Sequence, residues 1–159
     1  MKKLPINILI LPDIRSVENV GAIFRTAEAV GINKIYLTGY TPCPLDRFGK
    51  IRKDISKSAL GAEKIVPWEY KKTSWPLLRK LKKDKFKIIA IEQAQNSIDY
   101  KKVKIDDRNA FILGNEVLGL SKKILDKCDI IAEIPMQGKK ESLNVSVATG
   151  VALFGILNK

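Results

Sequence analysis

Phe111-Ile112-Leu113-Gly114-Asn115-Glu116-Val117-Leu118-Gly119 and, after Ile134-Pro135-Met136, the run Ser142-Leu143-Asn144-Val145-Ser146 are the stretches whose reading decides the fold. Each is a polar turn that interrupts an apolar segment. Glycine or proline stands where a strand should end, so backbone groups there are free to meet a ligand instead of a ladder partner. Two such loops close together make one pocket.

Working outward, the flanking apolar runs have the pattern of an α/β sheet. Ile6 to Leu11 reads as a buried strand ended by Pro12-Asp13, and Val20 to Val30 as a helix with Ile23, Ala27 and Val30 on one face and Gly31 as its stop. Lys34 to Gly39 is a second strand. Strand, helix, strand within this span is a βαβ unit and implies parallel pairing. Tyr40 to Lys53 then reads as a long exposed loop, Asp54 to Leu60 as a capped helix stopped by Gly61, and Lys64 to Trp68 as a strand. A helix opens at Thr73 or Ser74 with Pro76 in its first turn; Leu77, Leu78 and Leu81 face inward, while Arg79, Lys80, Lys82 and Lys83 form a solvated basic face. Strands follow over 86–91, 110–113 and 130–134, with a polar segment from Glu92-Gln93 to Asn109 and a short helix over Ser121 to Lys127. The expected architecture is an open, mostly parallel sheet with helices on both faces, in one domain over residues 1–159.

The last helix, Leu143 to Leu157, has no adequate polar face. A second subunit is its natural cover, so the expectation is a homodimer.

Composition narrows the chemistry. The 159 residues carry 29 Lys and Arg against 17 Asp and Glu, a net charge of +12. That balance favours a polyanionic partner, nucleic acid before membrane. There is no histidine, and Cys43 and Cys128 are far apart, so zinc motifs, disulfide frameworks and His-based triads or proton shuttles are excluded and no metal is expected. No apolar run approaches the ~20 residues of a membrane helix, and the lysine-led start is too short for a signal core, which points to the cytoplasm. Gly-x-Gly-x-x-Gly and Gly-Lys-Ser/Thr loops are absent, which removes the usual dinucleotide and P-loop readings and moves the pocket to the late strands.

At these residues the sequence becomes specific. Asn19-Val20-Gly21-Ala22-Ile23-Phe24-Arg25 resembles the first motif of the SpoU/TrmH family of RNA ribose methyltransferases, in the SPOUT superfamily. Gly114 to Leu120 resembles its second motif, and Ile134-Pro135-Met136 with Ser142 to Ala148 its third. The resemblance covers nearly the whole chain. It implies S-adenosylmethionine-dependent methylation of a ribose 2′-hydroxyl in structured RNA, and a carboxyl-terminal deep trefoil knot, against the usual absence of threading. It places the methyl donor on Ile91, Glu92, Leu113, Gly114, Ile134, Met136, Ser142 and Leu143, held mostly through backbone. It places the chemistry on Asn19, Arg25, Glu116, Ser142 and Asn144. With an intrinsic pKa above ~12, arginine is a poor base, so Arg25 is expected to orient ribose or phosphate and stabilise alkoxide charge. Glu116 either holds Arg25 as an ion-pair partner or accepts the proton itself. Ser142 and Asn144 would fix the loop and the hydroxyl. The blander reading makes Asn19, Ser142 and Asn144 helix caps and Arg25 a surface residue.

The RNA itself is left open. Lys57-Ser58-Ala59-Leu60-Gly61-Ala62-Glu63 resembles branches that modify guanosine or ribosomal RNA, whereas the chain's size resembles the minimal wobble-position tRNA enzymes. tRNA is the first expectation and ribosomal RNA the second, gripped by Arg15, Arg25, Arg47, Arg52, Lys53 and Lys57. A non-catalytic RNA-binding protein on the same fold, or a basic α/β protein acting through a dimer surface or small-molecule pocket, are the rival readings.

Overall fold

A computed structural model describes residues 1–158. Seven strands form one sheet in the order β3-β2-β1-β6-β4-β7-β5, with every adjacent pair parallel. The strands are β1 (Ile6–Pro12), β2 (Lys34–Thr38), β3 (Trp68–Lys71), β4 (Lys87–Ile91), β5 (Ile98–Asp99), β6 (Arg108–Leu113) and β7 (Ile130–Glu133). The helices are α1 (Val17–Val30), α2 (Lys53–Ala59), α3 (Ala62–Ile65), α4 (Ser74–Lys83), α5 (Lys122–Leu125) and α6 (Val145–Leu157).

The central strands are apolar at nearly every position because both faces are covered. In β1, Leu9 and Leu11 point into a core shared with Val20, Ile23, Phe24 and Ala27 of α1, Ile55 of α2 and Leu153 and Ile156 of α6. Ile8 and Ile10 point the other way, against Leu77, Leu78 and Leu81 of α4 and Ile124 and Leu125 of α5. The period-two alternation of one strand thus feeds two cores, which is what helices on both faces require. No described helix is long and apolar enough to cross a membrane.

Several boundaries differ from the sequence expectation, each for a local reason. α1 begins at Val17 because Ser16, not Asn19, is its cap: the Ser16 hydroxyl accepts from the Asn19 N–H. Residues 64–67 are not part of a strand. Gly61 adopts a left-handed φ of 92° and caps the single turn α3; the backbone is extended from Val66, but strand pairing begins only at Trp68, after Pro67, where β3 pairs with Ile35 of β2. Asp54 does not cap α2; the helix starts one residue earlier, and Asp54 instead binds the Arg52 guanidinium. The polar segment 93–109 contains β5, two residues too short to show alternation, which pairs with Ala132–Glu133 of β7, and a 3-10 turn over Tyr100–Lys102. α5 is one turn, and α6 starts at Val145 with Asn144 as its cap.

Candidate active site at the carboxyl ends of the strands

β1 and β6 are hydrogen-bonded neighbours running the same way, so the loops that follow them, 13–16 and 114–121, emerge side by side. The second loop folds back on itself. Asn115 and Gly119 form an antiparallel bridge, and Gly119 has a φ of 64°. A Cβ on Gly114 would lie 2.5 Å from the Gly119 carbonyl carbon, so Gly114 is required by the loop's own closure. Glu92, at the end of β4, accepts from the Leu120 N–H at 3.1 Å and fastens the far end of the turn.

Asn115 locks the near end. It is buried, its amide donates to the Asp13 carbonyl at 2.7 Å and to the Tyr40 hydroxyl at 2.8 Å, and its Oδ1 accepts from the N–H groups of Val117 and Leu118. Asn115 stands inside the second motif, yet half of its role is invisible in the sequence: two of its four partners, Asp13 and Tyr40, become recognisable only when β1, β2 and β6 are side by side. Asp13 meets it from a left-handed backbone, φ 53°.

The candidate catalytic residues divide into a bonded group and a free group. The Glu116 carboxylate accepts from the backbone N–H of Arg15 (3.0 Å), the N–H of Ser16 (3.1 Å) and the side-chain amide of Asn19 (3.2 Å). The Asn19 Oδ1 accepts from the Asn144 amide at 3.2 Å, and Asn144 Oδ1 caps α6 through the Ser146 N–H. One hydrogen-bonded line therefore joins all three motifs. Burial pushes the Glu116 pKa up, but hydrogen bonds from the N–H groups of Arg15, Glu116 itself and Ser16, and from Asn19, outweigh it and hold the carboxyl below its ordinary value. Among the described residues Glu116 is thus bonded to the Arg15 and Ser16 backbone and to Asn19, and not to Arg25. Arg25 is exposed on α1 and, among the described residues, makes no hydrogen bond or ion pair. Ser142 is also exposed and unbonded, at the cleft wall.

All eight residues expected to hold a methyl donor line one cleft of about 390 Å³: Ile91, Glu92, Leu113, Gly114, Ile134, Met136, Ser142 and Leu143. Glu116 borders it, as do Gln93, Leu120, Leu125 and Glu141, which sequence reasoning missed; the Gln93 amide donates to the Glu141 carbonyl at 2.7 Å and ties two walls together. Its volume lies in the ~300–1,000 Å³ range of small-molecule sites.

The residues expected to grip RNA are distributed differently. Arg47, Lys53 and Lys57 are exposed in and after the loop that leaves β2 at this same end of the sheet, with Arg47 stacked on Phe48 at 4.8 Å. Arg52 is tied to Asp54 at 2.7 Å. Arg15 is exposed beside the cleft, its backbone used by Glu116.

Residues 7–154 match the SpoU rRNA Methylase family. A Neisseria meningitidis protein named 23S rRNA (guanosine-2′-O-)-methyltransferase RlmB is 34% identical over 146 residues, 92% of this chain and 56% of its own length. The AdoMet-bound rRNA methyltransferase of Sinorhizobium meliloti superposes with a TM-score of 0.86 at 26% identity, over 96% of this chain and 56% of that one. The TrmH/SpoU tRNA modifying enzyme of A. aeolicus superposes with a TM-score of 0.82 at 29% identity, over 97% and 75%. The chain spans a little under three fifths of the length of the curated relatives it matches. With its three motifs joined by one line of hydrogen bonds at the carboxyl ends of a parallel sheet, and with that match running through nearly its whole length, the chain belongs to the SpoU methylase family.

Proposed function

We propose that this chain, as a single unit of 159 residues, transfers a methyl group from S-adenosylmethionine to a ribose 2′-hydroxyl of structured RNA. The observation that carries the reading is the coincidence of the eight-residue cleft with the Glu116–Asn19–Asn144 line at its rim. The cleft fits the donor by its chemistry: Leu113, Ile134, Met136 and Leu143 offer apolar walls for a purine, and the backbone of the Gly114 turn offers amide and carbonyl groups. When bound, the donor supplies a methyl carbon activated by its sulfonium.

The chain's own residues then do the rest. The Glu116, Asn19 and Asn144 contacts hold loop 114–120 and the start of α6 in one arrangement before substrate arrives, which lowers the cost of orienting it. Arg25 has a guanidinium free to bind a phosphate beside the target ribose and to stabilise the oxygen as it loses its proton. Glu116, bonded and with a lowered pKa, is a positioning residue and leaves proton acceptance to solvent or to a group of the RNA.

The same reading carries three further parts. A second copy covers α6, where Val147 is 50% and Phe154 41% exposed. The segment leading to α6 threads as a trefoil knot, in keeping with a strand order that sets β6 between β1 and β4 and a last helix that returns onto α1. The site of action is the cytoplasm. tRNA is the first substrate, a reading favoured by the name of the A. aeolicus neighbour; the Neisseria relative's name favours ribosomal RNA as the second.

Labelled S-adenosylmethionine incubated with bulk tRNA and, separately, ribosomal RNA tests the reading after nuclease digestion and nucleoside mass spectrometry. The expected product is a 2′-O-methyl nucleoside. Failure to bind the donor by calorimetry would overturn the enzyme reading.

A further inference from the structure

The basic face of α4 looked like ordinary solvated surface in the sequence, but the fold adds a second element to it. Between Lys72 and Asp84, and between Ser121 and Asp129, stand eight basic residues against three acidic ones. α5 lies beside α4, and two of its lysines close over Trp75, at the start of α4: the Lys123 ammonium is 4.3 Å and that of Lys127 is 5.1 Å from the indole centre. Trp75, Arg79 and Lys82 follow at helical spacing on one stripe of α4, away from the buried Leu77, Leu78 and Leu81. Two of the acids are already used, Asp129 by Lys82 at 3.3 Å and Asp84 by Lys80 at 3.5 Å. Arg79, Lys123 and Lys127 make no ion pair among the described residues.

α5 is also the wall between this face and the cleft. Leu125 lines the cleft and, with Ile124, packs on the α4 side of the sheet. A polyanion lying on the α4–α5 face would therefore reach the cleft by way of α5.

We propose that the α4–α5 face is a second RNA-docking surface, which holds the backbone of the substrate RNA beyond the nucleotide in the cleft. The inference rests on the methyltransferase reading. Cations without ion-pair partners gathered around two adjacent helices suit phosphates, and an indole carrying two lysines holds those ammonium groups in place beside a ring that can meet a base. An acidic polypeptide lacks the base that would use Trp75, so RNA is the occupant the chemistry favours.

Arg79→Glu, Lys123→Glu and Lys127→Glu combined in the full chain test it, with bulk tRNA and calorimetric donor binding as readouts. The expected result is RNA affinity reduced at least ~10-fold at 0.1 M salt and a salt slope shallower by roughly 2–3, with KM for RNA raised, turnover at saturating RNA kept and donor affinity unchanged. Donor affinity in the variant also certifies its fold. Unchanged RNA affinity and slope would overturn the surface alone, whereas a native chain that binds no RNA would overturn the function reading with it. Trp68→Phe leaves Trp75 as the sole tryptophan: quenching of its emission by tRNA is expected, and silence, or poly-glutamate binding as tightly as tRNA, would overturn the proposal.

Discussion

Loop 114–120 and loop 40–52 both leave the carboxyl ends of parallel strands, yet they are held in opposite ways. The first is fixed by partners far away in the chain: Asn115 to Asp13 and Tyr40, Glu116 to Arg15, Ser16 and Asn19, and Leu120 to Glu92. The second is anchored at its start, where Tyr40 meets Asp13 and Asn115 and Thr41 bonds Leu11 and Ile14, and from Pro44 onward it is held by itself. The Asp46 carboxylate accepts from the N–H groups of Phe48 and Lys50, Leu45 bridges Ile51, and Arg52 pairs with Asp54 two residues on. A loop tied to three strands keeps one shape and suits a site that must align reacting atoms. A loop closed locally presents charge at little entropic cost and suits adjustable phosphate contacts.

The largest effect should come from Arg25, on the helix that supplies Asn19 to the bonded web. Arg25→Ala is expected to reduce methyl transfer ~10²–10³-fold while donor affinity stays within twofold, since the guanidinium touches neither the cleft nor the web. Steady-state turnover beside calorimetry checks this, and unchanged turnover would return Arg25 to the helix surface. Next comes Asn115→Ala, which removes four hydrogen bonds from a buried side chain and should cost about 2–4 kcal/mol of stability, read from urea midpoints. A cost below about 0.5 kcal/mol would mean that the loop holds itself, like its counterpart.

Glu116→Gln is smaller and carries a pH signature. A carboxylate whose folded pKa is depressed contributes stability that is fully present above its ordinary value near 4.5 and lost as pH falls through the lower folded value. The stability gap between wild type and Glu116→Gln should therefore be open at pH 7 and close below pH ~4.5 in acid-titrated denaturation. A gap independent of pH would show that the amide replaces the carboxylate fully. Arg52→Ala should do least, at about 0–1 kcal/mol, because its pair with Asp54 is solvent-exposed. A larger thermal shift would place loop 40–52 in the same class as loop 114–120 and erase the contrast.

Much of this molecule was legible in one dimension. Ile6 to Leu11 and Phe111 to Leu113 announce strands covered on both sides, and all eight donor-site candidates meet at one cleft. Element ends were legible only where a strong cap stood. Ser16 displaced Asn19 as the cap of α1, and the left-handed Gly61 replaced an expected strand with one helical turn. β5 escaped because two residues carry no periodicity.

What the sequence determined by itself was the parallel α/β architecture, the family motifs and a surplus of positive charge, because periodicity, turn chemistry and composition are local properties. Only the tertiary structure decided that Glu116 binds Asn19 rather than Arg25, that Gly114 yields to Gly119, and that lysines of α5 settle on the tryptophan of α4. Those pairings depend on which strands become neighbours. A sheet ordered β1-β6-β4-β7 brings together residues about a hundred positions apart, and no local pattern along the chain records that order.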